Sequence, residues 1–228
     1  MGLIGNLMKS MHAPVYRSRL AGLMKVITPE LEATDRVLDV GCGNGQLGRA
    51  LMDALPGLEV AGLERAVRDG AAIEVSAYDG VTFPFADNTF DAVIVADVVH
   101  HDAEPLRVLR ECRRGAKRLV ILKDHKVDGP AVTLPYRRIC LMDWAANVQY
   151  GIPCLYDYPT REGWYERFAE IGAQVQNEHT RLQLYPRPYR WFFTPRLQYL
   201  AVINAAPAPA PRMAAEWLPE TSDHFQDP

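Results

Sequence analysis

The stretch Arg36-Val37-Leu38-Asp39-Val40-Gly41-Cys42-Gly43-Asn44-Gly45-Gln46-Leu47-Gly48 decides the fold. After Arg36 it runs through apolar, partly β-branched residues suited to a buried parallel strand. It then breaks into glycines at every second position and resumes with Leu47, Leu51 and Leu55 at helical spacing. Strand, glycine turn and helix form the arrangement in which backbone closes on a ligand and a helix N-terminus faces it. A β-carbon in the turn would block either the positive φ or the ligand. The stretch reads as a ligand-holding loop of an α/β domain.

Two ligands compete for it. Gly43-Asn44-Gly45-Gln46-Leu47-Gly48 satisfies G-x-G-x-x-G, and Glu64 follows about twenty residues on, as a dinucleotide site requires. In that frame Gly41 and Cys42 are two extra residues between strand and fingerprint. The whole run from Asp39 to Gly45 instead resembles the first motif, V-L-D-V-G-C-G-x-G, of the class I, Rossmann-like S-adenosylmethionine-dependent methyltransferases. A pyrophosphate wants bare amide donors and no anion nearby, whereas a sulfonium carrying an α-amino group accepts Asp39.

At 228 residues with 48% apolar and 23% charged residues, the chain is long enough for one domain with a full core. A net charge of -3 argues against non-specific nucleic-acid contact, which needs many phosphate-neutralising cations. Cys42, Cys112, Cys140 and Cys154 make no C-x-x-C pair, so we expect reduced thiols, no zinc site and a cytoplasmic protein. The first residues lack the basic start and long apolar run of a signal peptide. They nearly match a myristoylation signal, but Asn6 stands where Ser or Thr is required. No stretch has the length of a membrane span.

In chain order, Leu3, Ile4, Leu7, Met8 and Met11 share one helical face, and Leu20, Leu23, Met24 and Ile27 give a second amphipathic helix stopped near Pro29. A second strand, Leu58–Glu64, ends on an acid that can accept from two ribose hydroxyls. Only about nine residues separate it from Ile73–Asp79, too few for a crossover helix. Asp79-Gly80 reads either as an adenine contact or as a turn. Phe90 and Asp91 lead into a fourth strand, Ala92–Ala96, with Asp97 and then His100-His101 at its crevice end. Pro105 starts a helix that Gly115 stops. Lys117–Leu122 is strand five, tipped by Lys123-Asp124-His125. Thr160 caps a further helix, and Val175–Leu184 and Leu197–Ile203 make the last two strands.

The resemblance spans roughly residues 36–125, where "lPF-d-n-sFD" and "vlHH" segments of small-molecule, type-11-like methyltransferases also have counterparts in Phe83–Asp91 and Val98–His101. It implies a Rossmann-like, seven-stranded, mostly parallel sheet with the last strand antiparallel, helices on both faces and a small substrate cap after strand five. It also implies that Asp39, Gly41, Cys42, Gly43, Gly45, Glu64, Asp79, Gly80 and Asp97 bind S-adenosylmethionine. We expect a domain over 1–204, with an N-terminal helical lid at 1–28 and an acceptor cap at 126–160. An Ala/Pro-rich flexible tail is expected over 205–228. The aromatics of the cap, Trp144 above all, could equally form its own core. Arg137, Arg138, Arg187 and Arg190 point to an anionic acceptor, and the Tyr-rich cap and the Tyr185–Trp191 loop to an aromatic one. His101, His125 and His100, in that order, are candidates for the base. A nicotinamide-dependent oxidoreductase and a catalytically silent binding relative remain the alternatives.

Overall fold

The computed structural model describes residues 3–129, 133–147, 154–187, 189–191 and 193–205. Seven strands form one sheet: β1 (Arg36–Val40), β2 (Glu59–Glu64), β3 (Val75–Ala77), β4 (Phe90–Ala96), β5 (Ala116–His125), β6 (Val175–His179) and β7 (Gln198–Asn204). Their spatial order is β3-β2-β1-β4-β5-β7-β6. The first five are parallel, and β7 runs antiparallel to both β5 and β6. This is the expected topology.

Strand alternation assigns the two faces. Val37, Val60, Ala92, Ile94, Leu119, Ile121, Leu200 and Val202 pack beneath α1 (Leu3–Ile27) and α2 (Gln46–Ala54), through Leu23, Ile27, Leu47 and Leu51. Leu38, Val40, Val93, Val95, Val120, Leu122, Ala201 and Ile203 pack beneath α3 (Pro105–Gly115) and α5 (Arg161–Glu170). Both faces of the parallel strands are therefore covered, which is why β1 and β4 read as apolar runs rather than alternating ones. Between α3 and α5 in sequence lies α4 (Thr133–Asn147), beyond the sheet end.

Four expectations change. The two N-terminal helices are one, α1, with Pro14 inside it. A proline removes a single ladder bond, and the docked face of Leu23 and Ile27 carries the helix on. The side chains of residues 3–13 lie outside the described set, so their proposed face does too. Strand five runs on to His125 because Lys123, Asp124 and His125 pair with Leu200, Tyr199 and Gln198 of β7. Strand six stops at His179, since an edge strand has a partner on one side only. The chain beyond it turns to bury Leu182 and Leu184 under α1, where Ser18 Oγ donates to the Leu184 carbonyl at 3.0 Å. Finally, Trp144 is 51% exposed and belongs to no core. The link from β2 to β3 has no helix, as its length requires, and the proposed tail after Ala205 lies outside the described residues.

Trp164 of α5 is fully buried, stacks between Phe168 and Tyr199, and its Nε1 donates to the His125 carbonyl at 2.9 Å. It pins α5 to the crevice end of β5. Trp164→Ala is expected to cost about 3–5 kcal/mol, from the cavity and the orphaned carbonyl. Urea unfolding of the two proteins checks this.

Candidate active site

The strand order reverses between β1 and β4, and ligands of open α/β sheets bind in the crevice at such a switch point. The C-terminal ends of β1, β2, β4 and β5 bring Asp39, Glu64, Asp97 and Lys123-Asp124-His125 to that edge.

After β1 the chain turns through Gly41, Gly43 and Gly45, all with left-handed φ (67°, 60° and 74°). The Gly41 N–H donates to the Leu63 carbonyl at 2.7 Å, which ties the loop to β2. A β-carbon at Gly45 would stand 2.5 Å from Ile73, whereas one at Gly43 would point into open space, with nothing nearer than Arg68 at 3.9 Å. Gly43 therefore faces the crevice, and its neighbours need glycine for packing as well as for φ. Cys42 Sγ lies against Gly62, and burial, helped by Asp39 and Glu64, pushes its thiol up to about 12. It is a neutral packing group.

Asp39 is 2% exposed, and its Oδ2 has no hydrogen-bond partner among the described residues. Burial raises its carboxyl to about 7; Arg19 pulls the other way, and Glu64 adds to the rise. Glu64 turns back on the loop, accepting from Gly43 N at 2.8 Å and from Arg65 N at 2.9 Å. A carboxylate has about four acceptor positions, so two remain for a ligand. Asp79 is exposed and accepts from the N–H groups of Val81 and Thr82 at 2.7 and 3.0 Å, the geometry of an Asx turn. Gly80 beside it is buried, with φ 83° and Arg65 where its β-carbon would be. Asp91 accepts from Arg36 N at 2.8 Å and meets Lys117 at 3.0 Å, holding the start of β4.

Asp97 has φ 58°, a conformation a non-glycine residue adopts only under constraint. The constraint is visible: its carboxylate pairs with the buried Lys123, and with Arg19 of α1 at 2.5 Å. Burial opposes its charge, but Lys123 and Arg19 hold it well below the usual carboxylate range. Tyr185, which stacks on Phe193 at 4.3 Å, interacts with Arg19 in turn. The Tyr185 loop thus reaches the pocket mouth through Arg19.

The three histidines gather within ring-contact distance, His100 lying 4.0 Å from His101 and 5.4 Å from His125 between centroids. Their environments differ. His100 is 1% exposed, with Nδ1 2.6 Å from Asp124 Oδ1; burial disfavours its charge, but Asp124 outweighs that and raises it to about 10. His125 holds Nδ1 3.2 Å from the Leu197 carbonyl, and burial together with Lys123 drops it to about 4. His101 sits in a short turn after β4 with Nε2 3.5 Å from Asp143 Oδ1. Asp143, on α4, also lies 3.6 Å from His100 Nε2 and accepts from Tyr158 Oη at 3.1 Å. Sequence reasoning gave Asp143 no role and passed over Arg19 entirely. The only signal for Arg19 was a cation just before the apolar face of its helix.

Two surface cavities, of about 520 and 720 Å3, are lined by charged and polar residues, arginines forming half of the larger lining, and neither includes a residue of the glycine loop or the histidine group. Arg138, Arg187, Arg190 and Trp191 border the larger one, and Arg138 stacks over the Trp191 ring at 3.5 Å.

Residues 38–121 match the family model described as a methyltransferase domain. Over that stretch the chain is similar to methyltransferase domains. A demethylmenaquinone methyltransferase of Thermotoga maritima is 36% identical over 121 residues, 47% of this chain and 49% of the relative. A ubiquinone biosynthesis O-methyltransferase of Cereibacter sphaeroides is 35% identical over 89 residues, 34% of this chain and 35% of the relative. The chain therefore spans about half the length, or less, of these curated relatives. The solved structure of a SAM-dependent methyltransferase from Aquifex aeolicus aligns with a TM-score of 0.59 at 17% identity, over 88% of this chain and 98% of that one. That likeness concerns the fold. Among the described residues no helix is long and apolar enough to cross a membrane.

The buried Asp39 carboxylate gives the chain a measurable signature. Its pKa is raised on folding from the ordinary carboxyl value of about 3.8 to about 7, so it lowers stability progressively between about pH 4 and 7 and by a constant amount above. Asp39→Asn is expected to stabilise the ligand-free chain at pH 8, by up to roughly 4 kcal/mol. The gain should shrink toward zero near pH 4. Urea midpoints at pH 8 and pH 5 read the difference, and equal gains at both would rule out the ionisation.

Proposed function

We propose that the chain transfers a methyl group from S-adenosylmethionine to an oxygen, nitrogen or carbon of a small-molecule acceptor. The observation that carries this is a buried carboxylate with an unpartnered oxygen, Asp39 Oδ2, beside a left-handed glycine turn at the switch point of the sheet. An α-amino group is the cation that such an oxygen accepts, and the open space at Gly43 admits backbone contact. Asp39, Gly41, Gly43 and Gly45 would hold the methionine end, with the neutral Cys42 as packing beneath, and Glu64 the ribose hydroxyls. Asp79-Gly80, fixed as a turn, would border the adenine. A bound sulfonium supplies the methyl group to an in-line displacement, for which alignment provides much of the acceleration.

The acceptor would lie over the histidine group, walled by Tyr136, Tyr156 and Tyr158 from the 126–160 cap. Arg19 and Lys123 hold the Asp97 charge in place, so Asp97 borders the crevice without repelling an anionic acceptor. We favour an aromatic hydroxyl acceptor, in keeping with the quinone-pathway names of the relatives and these tyrosine walls. The acceptor's proton would be lost at His101 and Asp143, 16% and 10% exposed, rather than at His125, whose conjugate acid is too strong to hold it. The four free cysteines favour a cytoplasmic setting.

Calorimetry with S-adenosylhomocysteine, S-adenosylmethionine and NAD tests the reading: micromolar binding of the first two and none of NAD is expected. NAD binding without an S-adenosyl response would defeat it. Binding without turnover on any acceptor would favour the silent relative. Glu64→Ala removes charge-assisted hydrogen bonds worth about 1.5–3 kcal/mol each and is expected to weaken cofactor binding tenfold or more, with the fold retained. Unchanged affinity would mean that Glu64 does not meet the ribose.

A further inference from the structure

His100 Nε2 is a buried ring nitrogen with no hydrogen-bond partner among the described residues, on a side chain 1% exposed. Leaving such an atom unpaired costs free energy unless something fills its place. Around it, one ligand atom from each of His100, His101 and Asp143 lies within 4.8 Å of the other two. The carboxylate oxygen is 3.6 Å from one nitrogen and 3.5 Å from the other. These separations are too long for hydrogen bonds. They are close to the spacing of about 3.4 Å between neighbouring ligands of a tetrahedral ion bonded at about 2.0–2.1 Å.

We propose that His100, His101 and Asp143 form a binding site for a divalent transition-metal ion, zinc being the first probe. Two imidazoles and one carboxylate suit zinc, cobalt or iron and do not suit magnesium or calcium, which take oxygen ligands. The surroundings match what such an ion requires. Metal-bound imidazoles donate their other ring nitrogen to a carboxylate, and His100 Nδ1 meets Asp124 Oδ1 at 2.6 Å. That contact turns Nε2 into the group, where an ion would take the place of a proton. Asp143 is itself held by Tyr158 Oη on its other oxygen, Oδ2, which fixes the orientation of the carboxylate. His101 and Asp143 are 16% and 10% exposed, so the ion has an entry path and a free coordination position on the crevice side.

The site is read from the cluster alone. Its use rests on the methyl-transfer reading: with an ion bound, His101 and Asp143 act as its ligands in place of the base, and an acceptor hydroxyl at the free position would lose its proton to water more readily and present an oxyanion to the methyl donor. A proton trapped between His100 and Asp143 is the competing occupant, and it predicts no metal affinity.

The test uses the full chain, stripped with a chelator and titrated with Co(II) alone and then Zn(II) alone, without cofactor. One equivalent of Co(II) should give saturable ligand-field absorption, displaced by one equivalent of Zn(II). His101→Gln and Asp143→Asn, at partly exposed positions, should each weaken binding at least tenfold with an unchanged circular dichroism spectrum. Asp124→Asn should weaken it about 10–100-fold through His100. Absence of the Co(II) bands overturns the proposal. So does a signal unchanged in both His101→Gln and Asp143→Asn, which would come from other histidines of the chain. S-adenosylhomocysteine binding, measured separately, keeps the outcomes apart: loss of metal affinity with cofactor binding intact defeats the metal site only, and the reverse defeats the methyltransferase reading only.

Discussion

The reversal of strand order between β1 and β4 is the constraint from which the rest follows. Right-handed crossovers carry β2 and β3 to one side of β1 and β5 to the far side of β4, so no connection covers the gap above the central pair. The strand ends that border this gap carry the ionisable groups, and each must be solvated, paired or neutralised. Lys123 shows how demanding this is. It lies fully buried at the end of an apolar strand, where burial pulls its ammonium below the usual range and Asp97, bent into the left-handed region to meet it, works the other way. Asp97 then draws in Arg19, and with it the helix α1. The same ion group that satisfies the sheet edge therefore fixes the helix that roofs it.

Strand alternation divides the chemistry as cleanly as it divides the core. Lys123 and His125 project to the face of α1, and Asp124 between them projects to the other. Asp124 accordingly meets the ring of His100, delivered by the turn after β4, and takes from its neighbour His125 only the backbone N–H. Two polar networks result, back to back on one strand: Arg19–Asp97–Lys123 on one side and Asp124–His100–Asp143 on the other. The first is rich in cations and the second in carboxylates. This difference explains why His125 is driven down to about 4 and His100 up to about 10, although their rings are 5.4 Å apart.

Most of the fold was legible in residues 36–125 because the evidence there is local. Apolar runs, left-handed glycines and a proline at a helix start each act within a few residues of where they stand. The short link after Glu64 correctly implied that no helix joins β2 to β3. The errors lie where packing at a distance overrides local pattern. Pro14 does not break α1 because the following turns are docked on the sheet, and the strand expected over 175–184 ends early because Leu182 and Leu184 have a better partner in α1 than in solvent. Trp144 looked like core by its size and is exposed, since composition does not say which side of a cap faces the body of the protein.

By itself the sequence determined that this chain has a parallel sheet, a glycine loop after its first strand, an acid in that strand and another ending the second. Those features are set by backbone sterics and by periodicity, which are properties of neighbours along the chain. Only the tertiary structure decided which carboxylate meets which histidine. Asp143 stands 42 positions after His101 on a helix of no regular amphipathic pattern, and Arg19 stands 78 before Asp97. Charges so far apart in sequence choose one another through desolvation. Once both are brought to a water-poor edge, the cost of leaving either unpaired selects the partner, and that cost exists only in the folded chain.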